Sequence, residues 1–277
     1  MKVFYLLVAV LVIFSCKQET HIKEVSMKED VYFLADDSQE GRETGSEKER
    51  QSADYLVDRF KNLGLKPKGV NGYLQPFIFK PKTNPHEEAT YVINKEDSTI
   101  TGLNVLAYIN NKAENTIIIG AHYDHLGFGS EGSLFRGDQP EIHNGADDNA
   151  SGVAVMMNLA SRLKYNNSNN NYLFIAFSGE EMGLLGSNYF VKNPTIDTKK
   201  VNYMINMDMV GRLKDDKTLA VYGVGTSPKF KQTLFANNTD FKLIEKESGV
   251  GPSDHTSFYL ADIPVLHFFT GQHEDYH

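Results

Sequence analysis

The chain has no tryptophan and a single cysteine among its 277 residues. That cysteine is Cys16, so everything after it lacks disulfides and thiolate metal ligands. A metal held downstream would need imidazole and carboxylate. There is no long lysine and arginine run, and the formal net charge of −8 argues against nucleic acid as a partner. No segment recurs at a period of about 20 to 50 residues, which excludes a repeat architecture. Nor is any apolar stretch as long as the ~20 residues of a membrane helix; the run from Val3 to Phe14 falls short. The hydrophobic fraction of 40% is enough for one sizeable core.

The opening "MKVFYLLVAVLVIFSC" has one lysine, an apolar run and then Ser15-Cys16, the order found in secretory signals. Its end, "VIFSC", resembles a bacterial lipobox with Cys16 as the lipidated residue. We therefore expect a lipoprotein signal over 1–16, a polar tether over 17–25 and one domain over 26–277. The expected location is extracytoplasmic, on a bacterial membrane through the lipid anchor only.

"SMKEDVYFLADD" carries a helical pattern behind a Ser26 cap. In "SEKERQSADYLVDRFKNLGL", Ser46 and Glu49 fit a capping box, Ala53, Leu56, Val57 and Phe60 share a face, and Gly64 ends the helix. Short strand-like runs follow, including "YLQPFIF" and "LNVLAYI". Beyond them the alternation is regular. "NTIIIGAHYD", "YLFIAFS", "VNYMINMDMVG" and "IPVLHFF" read as buried strands; "NASGVAVMMNLASRLK", "MGLLGSNYFVKN" and "SPKFKQTLFAN" read as helices. Strands that are apolar on both faces, separated by helices, predict an α/β fold: a mixed, mostly parallel central sheet with helices on both faces. Such sheets bind ligands beyond the carboxyl ends of their strands.

Those ends carry the chemistry. His122 and Asp124 follow one strand, Asp147 and Asp148 occupy a glycine-bounded turn, and Glu180 and Glu181 follow the next strand. Asp208 follows a third, and His273 and His277 follow the last. The adjacent pair Glu180-Glu181 alone would also suit a solvated helix start. Converging carboxylates raise each other's proton affinity unless a cation neutralises them. Imidazole with carboxylate suits zinc, and two divalent ions about 3.5–4 Å apart across a shared carboxylate are a known hydrolase arrangement.

"AHYDH", "NGADDNASG", "SGEEMGLLGS", "NMDMVGR", "SDHTSF" and "DYH" occur in that order. On these motifs the chain from about Gly41 onward resembles the co-catalytic zinc aminopeptidase family, which includes bacterial leucyl aminopeptidases and is related to glutamate carboxypeptidases. The resemblance implies a zinc exopeptidase fold, two zinc ions per chain, peptide substrates and release of N-terminal residues. Asp148 would bridge the ions, His122 and Asp208 would complete one site, and Glu181 and His277 the other. Glu180 would be the general base. Asp124 would take the second ring N–H of His122, His255 would line the substrate side, and Tyr276 would bond the tetrahedral intermediate. A cis peptide is implied at Asp148–Asn149. Carboxypeptidase activity, a one-metal glutaminyl cyclase and a receptor-like relative without metals stand as rivals.

Asp147 is an alternative bridge to Asp148, and His273 an alternative ligand to His277. His125 and His143 read as supporting or loop residues, Arg42 and Arg212 as ion-pair partners. The resemblance also implies further chain beyond the position of His277, so a weakly held second metal is expected from a chain ending there.

Overall fold

The structure, a computed structural model, describes residues 26–82, 89–129, 132–137, 139–167 and 169–277. The expected signal, Cys16 and tether lie outside the described residues. Helix α1 (Met27–Leu34) begins at Ser26, whose hydroxyl accepts the Glu29 N–H at 3.2 Å. Helix α2 (Glu47–Asn62) begins at Ser46, which accepts the Glu49 N–H at 3.0 Å. The capping box does not close as expected. Glu49 reaches past Ser46 to accept the Gly45 N–H at 2.6 Å, and its other oxygen accepts the Ser178 hydroxyl. Glu49 is buried against the sheet and so ties the helix start to a strand end.

The strands are β1 (Lys66–Pro67), β2 (Leu74–Lys80), β3 (Thr90–Val92), β4 (Ile100–Ile109) and β5 (Thr116–His122). Then come α3 (Gly152–Asn166), β6 (Asn171–Phe177), α4 (Leu185–Lys192), β7 (Val201–Met207) and β8 (Thr218–Tyr222). Helix α5 (Phe230–Asn237), β9 (Lys242–Lys246), α6 (His255–Tyr259) and β10 (Val265–Phe269) complete the order. One sheet runs β3-β2-β4-β6-β5-β7-β10-β8-β9, with β1 beside β4. The central block β6-β5-β7-β10 is parallel, as the helix-separated apolar runs require. Antiparallel pairs lie at the flanks, β2, β3 and β4 on one side and β10 with β8 on the other.

Period-two burial distributes the central side chains between two helical layers. Ile117, Ile119 and Ala121 of β5, with Phe174 and Ala176 of β6, join α1, α2 and α3 in one cluster. Ile118, Leu173, Ile175 and Phe177 face the other way, with Phe190 of α4 and Phe258 of α6. The chain leaves β5 through α3 to β6 on one side, then returns through α4 to β7 on the other. The sheet therefore reverses direction at β5, where a crevice opens beyond the strand ends. No helix among the described residues is long and apolar enough to cross a membrane.

Candidate metal centre

His122 is the last residue of β5 and is fully enclosed. The turn between β5 and α3 brings Asp148 to it, and two glycines make that approach possible. Gly145 has φ +58°, and a Cβ there would lie 2.2 Å from the Asp148 carbonyl. A Cβ on Gly152 would lie 2.4 Å from the Met207 carbonyl, so only glycine lets α3 start against the end of β7. The Asp148–Asn149 peptide is cis, as implied by the resemblance. Asn149 donates to the Met207 carbonyl at 2.9 Å and accepts from Met209 N at 3.2 Å and Gly152 N at 3.0 Å. Asp148 is thereby held beside Asp208, just past β7.

The two oxygens of Asp148 face different partners. Oδ1 is 3.1 Å from His122 Nε2, which is also 3.4 Å from Asp208 Oδ1. Oδ2 is 3.0 Å from His277 Nε2, which is 3.5 Å from Glu181 Oε2. Glu180 Oε2 stands further off, 4.0 Å from His122 Nε2. Ligand atoms of His122, Glu180 and Asp208, and of His122, Asp148 and Glu181, fall within 4.8 Å of one another. His122 Nε2, Asp148 Oδ1 and Asp208 Oδ1 are buried without a hydrogen-bond partner among the described residues. Three buried polar atoms left without a hydrogen bond are costly in protein alone and fit a cation beside them. Nitrogen and oxygen donors of this kind are those zinc takes when no thiolate is present.

The electrostatics carry the same sign. Burial, then Glu181, Asp208 and Asp254, pushes Glu180 well above the carboxylate range, although His122 opposes the rise. Burial and then Asp148 push Glu181 up to about 8. Burial would raise Asp148, but the facing imidazoles of His122 and His277 hold it below its usual range. The metal-free cluster thus retains protons that a divalent ion would displace.

Around this set the structure corrects several expectations. Asp124 does not fix His122 through its carboxylate: Oδ1 is 3.7 Å from Nδ1, while the Asp124 main-chain carbonyl is at 3.2 Å. The carboxylate is occupied elsewhere, accepting Thr44 Oγ1 at 2.9 Å, Glu180 N at 3.2 Å and Glu181 N at 3.3 Å. It aims the glutamate pair instead. His255 does not line the cavity. It is fully buried at the start of α6, stacked at 4.3 Å behind His267, and it is His267 that stands on the wall, beside His277. Arg42 is not an ion-pair partner. Fully buried, it donates to the carbonyls of Leu34, Tyr123 (2.8 Å), Asn144 (2.7 Å) and Gly145 (3.1 Å).

Arg212 does pair, with Asp275 at 2.5 Å. Asp147 turns away from the ligand atoms toward His273, at 3.0 Å, so neither joins the cluster. His143 is a loop residue bonded to the Ser133 hydroxyl at 2.6 Å. Tyr276 stacks on His277 at 3.8 Å and shares its cavity wall.

His125 has a definite place that local sequence could not give. Burial pushes its imidazole down to about 3, and the neutral ring lies with Nδ1 2.7 Å from Glu181 Oε1. Thr44 and Asn149 were likewise unread as supports, although Asn149 lies within a motif quoted for Asp148. His267 is hidden in the apolar run "VLHFF".

The profile of peptidase family M28 matches residues 104–277. A probable leucine aminopeptidase of Trichophyton verrucosum is 30% identical over 184 residues, which is 62% of this chain and 46% of that protein. The alkaline phosphatase isozyme conversion protein of Escherichia coli is 32% identical over 186 residues, covering 67% of this chain and 51% of its own length. The chain therefore spans about half the length of these relatives. In fold it is similar to a zinc aminopeptidase from Bacillus subtilis, with a TM-score of 0.65 at 17% identity over 92% of this chain and 88% of that one. The matched region contains every residue that meets at the β5 rim, from His122 to His277, and by that match the chain belongs to peptidase family M28.

Proposed function

We propose that the protein is a zinc-dependent aminopeptidase in which His122, Asp148, Glu181, Asp208 and His277 would hold two zinc ions. The observation that carries this reading is the divided carboxylate: one oxygen faces His122 and Asp208, the other His277 and Glu181. When bound there, a zinc pair supplies Lewis acidity to the scissile carbonyl and acidifies the attacking water.

The chain's residues do the rest. Glu180 stands clear of the bridging carboxylate, presented by main-chain bonds to Asp124, and takes a proton from the water before returning it to the leaving amine. The Tyr276 phenol is kept protonated, by burial first and then by the surrounding acids, and can donate to the oxyanion.

The cavity beside the ligands, about 560 Å³, supports an amino-terminal rather than a carboxy-terminal substrate. Its wall includes Asp148, Glu180, Glu181 and Asp208 and, among the described residues, no lysine or arginine. With Asp148, Glu181 and Asp208 committed to metal in this reading, the wall still gives a substrate carboxylate no lysine or arginine to pair with. The names of the relatives, leucine aminopeptidase and zinc aminopeptidase, support the same reading.

A panel of peptides with free and acetylated N-termini tests it in the presence of zinc. Cleavage of the free peptides with release of the first residue is expected. Equal cleavage of the acetylated set overturns the aminopeptidase reading, and a cyclised product from N-terminal glutamine with one zinc per chain favours a cyclase.

A further inference from the structure

We propose that Asp147, which carries no metal in this reading, is a positioning residue that brackets three ligand-bearing segments; the proposal rests on the two-zinc reading above. Its own segment is the turn that presents Asp148. One oxygen, Oδ1, accepts the Gly211 N–H at 2.7 Å, three residues past Asp208. The other, Oδ2, is 3.0 Å from Nε2 of His273, four residues before His277. The Asp147 side chain is nearly enclosed, although its bond from Gly211 lies at an exposed position.

The bracket is closed from outside. Asp275 pairs with Arg212 at 2.5 and 3.2 Å and lies 3.3 Å from Nδ1 of His273. Asp147, His273, Asp275 and Arg212 thus form a ring that returns through Gly211 to Asp147. Gly211 fits this part: a Cβ there would be 2.8 Å from Asp147 Oδ1. The last segment starts from the Thr270 N–H on the Met209 carbonyl at 2.9 Å, has no helix, and ends with Leu134 N on the His277 carbonyl at 2.9 Å. His273, followed by a turn closed by the Tyr276 N–H on its carbonyl at 3.2 Å, has its Nε2 on the carboxylate next to the bridge rather than among the ligand atoms. The doubled aspartate then parallels the doubled glutamate, with one member of each pair assigned to metal and the other to a separate task.

The test is a stepwise cobalt titration of the metal-free protein and of Asp147→Ala, His273→Ala, their double variant and His277→Ala. The expected result is that Asp147→Ala and His273→Ala still take two equivalents, with the second about 10–100-fold weaker, as for other supports of metal ligands. The double variant should be no weaker than the worse single one, because both remove the same contact. Melting temperatures of the metal-free proteins should move by no more than about 4 °C. If Asp147→Ala fails to fold, His273→Ala alone decides, since it leaves the Gly211 bond intact. Second-equivalent affinity within about twofold of the unsubstituted protein in the single variants, while His277→Ala loses that equivalent, overturns the bracket. An equal loss at both equivalents with a large fall in melting temperature also overturns it. A single equivalent bound by the unsubstituted protein at saturating cobalt instead removes the two-zinc reading on which it rests.

Discussion

His125 Nδ1 lies 2.7 Å from Oε1 of Glu181, and the ring has no charge of its own to offer. A neutral imidazole donating to a carboxylate fixes which oxygen of Glu181 is left for a metal. Oε2 is that oxygen, the one 3.5 Å from His277. His125→Phe keeps the volume and removes the donor. It should weaken the zinc held by Glu181 by about 10–100-fold and leave the His122 side less affected, as read by metal titration. Unchanged affinity for both ions would mean that the bond does not orient Glu181.

Glu180 is expected to move protons without holding metal. Glu180→Gln should therefore lower kcat by about 10²–10⁴-fold while the number of bound zinc ions stays the same. Loss of a zinc equivalent in this variant would reassign Glu180 as a ligand.

Glu49 gives a pH dependence away from the metal cluster. Burial, against bonds from Ser178 and Gly45, pushes its carboxyl from 4.5 up to about 8. A carboxyl raised in the folded state imposes no cost below about pH 4.5, and its cost is complete above about pH 8. Stability should fall through that window by roughly 3–5 kcal/mol on account of this group. Glu49→Gln can accept from Gly45 and donate to Ser178, so the stability difference between variant and unsubstituted protein should grow in the variant's favour as pH rises. Urea unfolding of the metal-free proteins at pH 5 and pH 8 measures it; a difference independent of pH would contradict the assignment.

Arg42 joins α1, the residue after His122 and the turn before Asp148 through four carbonyls, with no carboxylate among the described residues in direct contact. Arg42→Met would leave those carbonyls unpaired at about 1–3 kcal/mol each. Thermal unfolding should show a loss of several kcal/mol. Arg42→Lys should recover little of it, since an ammonium cannot reproduce the forked geometry.

The parallel centre of the sheet was legible because its strands are apolar on both faces and cannot be mistaken for half-exposed ones. Strands β8 and β9 were not. "TLAVY" and "KLIEK" are short; β8 has one fully buried residue and β9, at the sheet edge, is mostly exposed, so neither carries a buried-strand run. Metal candidates could be picked out because a histidine or acid at a strand end is conspicuous beside apolar neighbours. Their supports were hidden because each lies far along the chain from what it holds. Arg42 is 81 residues from Tyr123 and 103 from Gly145, and His125 is 56 from Glu181. No local period encodes such pairs. Asp124 and His255 were misassigned for the same reason, since their partners are set by packing across the rim and behind α6.

The bridging role of Asp148 is tested most directly by counting zinc. Metal-free protein and Asp148→Asn should be titrated side by side, with bound zinc measured after removal of excess. A centre divided across the two oxygens of Asp148 requires two equivalents in the unsubstituted protein and at most one, weakly held, in the variant. Two equivalents of undiminished affinity in Asp148→Asn, or a single equivalent in the unsubstituted protein at saturating zinc, would contradict it.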